Sequence, residues 1–149
     1  MNEKWYSGGC HCQAIRFSVL LQKNCTLDVY RCNCSICWMR QNHHFVVKND
    51  PKFFKFLSET KNNDPFSCPN LTEYNFNTNI ARHIFCKICG IQCFYQPRSN
   101  PNGFGITIYC MDDFQPNTDV QNKLKVEWHD FDGQNWESQI ESSSITSKT

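Results

Sequence analysis

The chain of 149 residues sets 15 Lys and Arg against 14 Asp and Glu, a formal charge of +1 with the basic residues scattered, so it has no electrostatic footprint for nucleic acid or an anionic membrane. Hydrophobic residues make up 40% of the chain and no apolar run reaches the length of a membrane span. Residues 1–9 are polar and lack the apolar centre of a secretory signal, so an intracellular protein, cytoplasmic or nuclear and not secreted, is expected.

The length suits one domain, and 12 Phe point to a small core built on aromatic rings. In chain order, Ile15, Phe17 and Val19 alternate with Arg16 and Ser18, the period of a half-buried strand. A short helical turn is predicted at 35–40, then β-prone runs at 45–47 and 53–57. Further strands are predicted at 71–76, 82–85, 92–95, 105–109 and 124–128. Turn chemistry separates them at Asn49-Asp50-Pro51, Asn62-Asn63-Asp64-Pro65 and Asn100-Pro101-Asn102-Gly103. A second helical stretch is predicted at 135–140, followed by a frayed Ser/Thr-rich end. The chain therefore reads as mainly β, with irregular loops carrying cysteines and few short helices.

Eleven cysteines, an odd number in a chain without a signal sequence, argue against a disulfide framework. Seven fall into three tight groups: Cys10-His11-Cys12, Cys32-Asn33-Cys34-Ser35-Ile36-Cys37, and Cys86-Lys87-Ile88-Cys89 with Gly90 directly behind. A C-x-x-C turn ending in glycine lets two thiolates face one zinc ion, and a second pair must complete the tetrahedron. Cys10/Cys12 and Cys32/Cys34 are the two candidates. Pairing Cys10 and Cys12 with Cys86 and Cys89 closes one four-thiolate site. It leaves Cys32, Cys34 and Cys37 around a second ion with one open position, and so predicts two zinc ions per chain. The alternative is one four-cysteine site with three free, oxidisable thiols. Cys25, Cys68 and Cys93 read as small buried hydrophobes, whereas Cys110 is a candidate for the fourth position on the second ion, along with water or substrate.

Three ordered motifs carry a resemblance. Gly8-Gly9-Cys10-His11-Cys12 with Ile15-Arg16-Phe17, the run from Cys32 to Cys37, and Phe85-Cys86-Lys87-Ile88-Cys89-Gly90 resemble the glutathione-dependent formaldehyde-activating enzyme family. Gln41 to Phe45, Tyr74 to Thr78 and Pro97 to Gly105 look closest to its centromere protein V-like branch. The resemblance implies a zinc-stabilised "β-tent" of small antiparallel sheets. It places residues 1–7 in a tail, 8–137 in the zinc-binding domain and 138–149 in a flexible tail. It also implies that Cys10, Cys12, Cys86 and Cys89 are structural while Cys32, Cys34 and Cys37 hold the reactive ion.

The implied activity is that of a carbon–sulfur lyase, an S-(hydroxymethyl)glutathione synthase-like enzyme joining glutathione to formaldehyde. Three cysteinates weaken the Lewis acidity of an ion, which favours holding a substrate thiolate over polarising a carbonyl. The partner is then a small thiol such as glutathione, whose carboxylates call for a cation. Arg98, in a Gly/Pro/Asn-rich loop, and Arg40, just after the reactive cysteines, are the candidates. His44 is a candidate to move protons or to orient a ligand. His83 carries no functional signal. Two other classes fit the same cysteines: a zinc-stabilised binding module of the centromere protein V type without catalysis, and a thiolate–zinc redox or storage protein.

Overall fold

The computed structural model describes residues 2–135, so the helix expected over 135–140, Asn135 apart, and the expected C-terminal tail lie outside the described residues. Ten strands and one short α-helix follow in chain order: β1 (Glu3–Gly9), β2 (Arg16–Gln22), β3 (Thr26–Cys32), α1 (Ser35–Arg40), β4 (His43–Lys48), β5 (Phe54–Phe56), β6 (Leu71–Tyr74), β7 (Arg82–Cys86), β8 (Phe94–Gln96), β9 (Gly103–Thr107) and β10 (Lys125–Phe131). The fold is mainly β with few short helical pieces, as the sequence predicts. No helix among the described residues is long and apolar enough to cross a membrane.

Two sheets form. The smaller one is antiparallel, ordered β1-β2-β5, and the larger has seven strands ordered β10-β3-β4-β9-β8-β7-β6. The large sheet departs from the all-antiparallel expectation at one edge. There β10 runs parallel to β3, with Phe131 level with Cys32. Residues 3–7, expected in a terminal tail, are strand, paired with β2 from Glu3↔Gln22 to Gly9↔Arg16. Their side chains are mostly exposed or half-buried, so they lack the apolar alternation that marks a strand in sequence.

The core lies between the sheets and is aromatic. Phe17 and Phe54 come from the small sheet and Phe94 and Phe104 from the large one, all at most 5% exposed. Phe54 and Phe104 rings are 4.7 Å apart, Phe94 and Phe104 5.0 Å, and Phe17 and Phe94 5.7 Å. Tilted and edge-on ring pairs at such spacing contribute about 1 kcal/mol each beyond simple burial. This ring cluster fixes the back of the large sheet and leaves its β3, β4, β7 and β8 ends to build a site.

Candidate functional site

Local backbone geometry brings the cysteines together. Cys10 begins a turn in which its amide bonds the Ile15 carbonyl at 3.1 Å and its sulfur accepts from the Ile15 amide at 3.3 Å. At the other loop the Gly90 amide bonds the Cys86 carbonyl at 2.8 Å, and Gly90 adopts φ 80°, a left-handed conformation that suits glycine. The sulfurs of Cys10, Cys12, Cys86 and Cys89 all lie within 4.8 Å of one another. Cys10 to Cys12 is 3.5 Å and Cys12 to Cys86 is 3.6 Å. A tetrahedron of ~2.3 Å zinc–sulfur bonds has sulfur–sulfur edges of about 3.8 Å, so four free thiols stand nearly where zinc would hold them. Burial pushes the Cys10 thiol up to about 12. Cys89 is burdened slightly by burial, but amide donors from Cys12 and Ile91 bring it down to about 6.

The second group forms where β3 meets α1. Cys32 ends β3, Cys34 caps α1 and Cys37 is buried in its first turn. Their three sulfurs also lie within 4.8 Å of one another, and no other metal-ligating side chain among the described residues joins them. The Cys34 amide reaches the Cys32 sulfur at 3.5 Å, and the Asn42 amide group donates to the Cys37 sulfur at 3.7 Å. Hydrogen bonds from the Cys32 and Cys37 thiols, backed by the Cys37 and Ile36 amides, hold Cys34 down to about 2, while Cys32, donating to it, is raised to about 11. Gly133 covers the group closely, since a Cβ there would stand 2.3 Å from the Cys32 sulfur.

These three cysteines open onto a cavity of about 380 Å³, within the range of small-molecule sites. Its walls include His44, Phe76, His83, Tyr95, Arg98 and Phe131. Its rings form an ordered stack. Phe76 lies over His83 at 5.5 Å, His83 over Tyr95 at 5.3 Å with planes 9° apart, and Tyr95 meets His44 edge-on at 5.2 Å. The Tyr95 hydroxyl and His44 Nε2 are 3.3 Å apart. Burial lowers His44 to about 4 and raises Tyr95 well above its ordinary range, so both are neutral at pH 7.

The sequence-predicted residues divide between two places. Arg98 and His44 line this cavity. Arg40 does not. Its guanidinium bonds the Gln92 side-chain oxygen, sits over the Phe85 ring at 5.3 Å and lines a separate cavity beside the four-cysteine cluster. Cys110 is also away from the three-cysteine group. It sits against the buried Cys93 and the Gln92 carbonyl, 3.9 Å from its sulfur, and lines that same second cavity. Sequence reasoning missed His83 and the loop at 76–78. The only available signal was the strand period around His83, which does not separate a cavity wall from core.

The chain matches the family model described as glutathione-dependent formaldehyde-activating enzyme over residues 5–131. It is also similar to the crystal structure of a Rhodobacter sphaeroides protein, with 28% identity, a TM-score of 0.59, and coverage of 83% of this chain and 99% of that one.

Proposed function

The chain belongs to the glutathione-dependent formaldehyde-activating enzyme family, and from that premise we propose that it is a zinc-dependent carbon–sulfur lyase acting on an adduct of glutathione and formaldehyde. The observation that carries the reading is the inequality of the two clusters. Four thiols close around one position, whereas three gather at the floor of a cavity. The donors of both suit zinc: they are free thiols, close-set, and in the three-thiol group the neighbouring thiols lower the proton affinity of Cys34.

In this reading Cys10, Cys12, Cys86 and Cys89 hold a structural zinc and Cys32, Cys34 and Cys37 hold a second one. A zinc held there would favour the thiolate form of a substrate sulfur at neutral pH. The remaining work falls to the chain. Arg98 offers a cation to a glutathione carboxylate at the cavity wall. Phe76, Phe131 and the Tyr95 ring make an apolar surround that excludes water from the reacting carbon. His44, neutral and bonded to the Tyr95 hydroxyl, fixes that ring against the cysteines.

Exchange NMR on labelled formaldehyde and glutathione tests the reading. The adduct forms spontaneously, so the interconversion rate carries the information and the final amount does not. Zinc-loaded protein should raise that rate, and Cys34→Ser should abolish the increase. A fully metallated natural chain without acceleration would reject the formaldehyde lyase assignment.

A further inference from the structure

Cleaving a hydroxymethyl thioether needs a base for its hydroxyl proton, and the cavity offers few. Among the described residues no Asp or Glu lines it. The titratable side chains among its described lining residues are Tyr30, Tyr95, Arg98, the three cysteines, His44 and His83. Tyrosine and arginine are poor bases at neutral pH, because one stays protonated as a neutral phenol and the other as a cation. The cysteines are the metal-ligand set. His44 is 1% exposed and its Nε2 is engaged by the Tyr95 hydroxyl.

His83 shares with His44 a buried Nδ1 without a hydrogen-bond partner, but it lies flat between two cavity rings where His44 meets Tyr95 edge-on. It is 3% exposed, sits in the cavity wall, and is held rigidly between the Phe76 and Tyr95 rings. Its Nδ1 is enclosed with no hydrogen-bond partner. That leaves Nε2 as the nitrogen able to meet a molecule in the cavity. Burial first, and the Arg40 charge second, depress its proton affinity, so the ring is neutral and able to accept. Gly105 helps to hold the arrangement. A Cβ there would fall 2.6 Å from Tyr95 Cε1 and 2.9 Å from His44 Cδ2, so only a bare backbone lets the stack close.

We propose that His83 is the proton-transfer residue of this cavity, a role that rests on the lyase reading above. In the cleavage direction His83 Nε2 accepts the hydroxyl proton of the adduct. The O–H electron pair becomes the second C–O bond of formaldehyde, the C–S bond breaks, and its pair leaves on glutathione sulfur as thiolate. In the joining direction the thiolate attacks the carbonyl carbon and the His83 imidazolium returns the proton to the forming alkoxide.

The test is magnetisation-transfer NMR on the zinc-loaded full chain, with metal content measured on each variant. His83→Gln keeps a planar, hydrogen-bonding side chain in the stack but carries no proton. It should retain native metal content, still bind the adduct, and interconvert it about 10²-fold or more slowly, the usual contribution of a positioned base. His83→Ala should be equally slow and regain rate when free imidazole is added. A native rate in His83→Gln overturns the assignment while leaving the lyase reading standing. So does a slow His83→Ala that imidazole leaves unchanged, and this second variant decides the matter if His83→Gln loses its metal. A natural chain that does not accelerate interconversion rejects the lyase reading and this assignment with it.

Discussion

The two cysteine clusters set the same side chain in opposite surroundings. The four-thiol group is made by two turns that meet from distant parts of the chain, one around Cys10 and Cys12 and one around Cys86 and Cys89. It ties the start of β2 to the end of β7, residues more than 70 apart (Cys12 and Cys86 are 74 apart in sequence), and so closes a long loop. The three-thiol group sits within six residues of chain and ties nothing distant by itself. Its sulfurs face a cavity. A ligand set that spans the fold is suited to stability, and one that is local and incomplete is suited to chemistry. The difference lies in what the fourth corner meets, a thiol from another loop or open space.

The sharpest way to break this comparison is to remove one thiol from each cluster. Cys86→Ser should strip the spanning site of its ion and unfold the chain, since structural zinc binding of about 10 kcal/mol is folding energy in small domains. Circular dichroism and metal analysis would register it. Cys34→Ser should leave the fold melting near the natural temperature while losing the second ion and the rate enhancement. Equal melting losses in the two variants would erase the distinction between them.

Acid should act on the open side through His44. Its folded proton affinity lies at about 4, below the ordinary value near 6.5, because the ring is enclosed. Between those values the unfolded chain binds a proton that the folded chain refuses. Stability from this residue is therefore complete above pH 6.5 and is lost as pH falls toward 4, by about 3 kcal/mol in all. Denaturant unfolding across that window, natural chain against His44→Gln, isolates the term from protonation of the cysteines. Parallel pH curves for the two would show that burial of His44 carries no such cost.

How much of this was legible depends on the range of the forces involved. Strands β2, β4, β5, β6 and β7 and the helix at Ser35–Arg40 follow from local apolar patterning and fall where the sequence puts them. The strand predicted at 92–95 starts later, at Phe94, and the one at 105–109 breaks into a helical turn at Ile108–Cys110. Strands β1 and β3 escaped notice. β1 has no alternation of apolar and polar residues, and β3 carries Asp28 and Arg31 among its apolar residues. Ligand grouping was readable because two thiolates of one site sit within a turn of each other. The cavity was not, since its wall is drawn from β3, α1, β4, β7, β8, β10 and the loops that follow β6, β8 and β10. Arg40 makes the same point. It follows Cys37 closely in sequence, yet its side chain lies in another cavity, against Gln92 and Phe85.

A subtler break spares every ligand. Gly133→Ala would place a methyl carbon 2.3 Å from the Cys32 sulfur and 2.9 Å from the Cys34 Cβ, so both cysteines or the covering loop must shift. The three-thiol site should hold its ion about 10-fold less tightly, the scale seen when support around metal ligands is disturbed. The four-thiol site should be untouched. Competition with a coloured chelator would reveal one fast-released and one slow-released ion. Release of both at the native rates would mean that the covering loop has no part in shaping the open site.

The smallest expected effect separates the two arginines. If the open cluster works on glutathione, the cation that matters must face its cavity, and Arg98 does while Arg40 does not. A charge-assisted contact to a carboxylate at a partly exposed wall is worth about 1.5 kcal/mol, so Arg98→Ala should raise the half-saturating glutathione concentration roughly tenfold with little change in the saturated rate. Arg40→Ala should leave that concentration as it is and lower thermal stability instead, because Gln92 loses its partner and Phe85 its covering guanidinium. A reversed pattern would move the substrate to the four-cysteine side of the molecule. The assignment of one cluster to structure and the other to chemistry would then have to be exchanged.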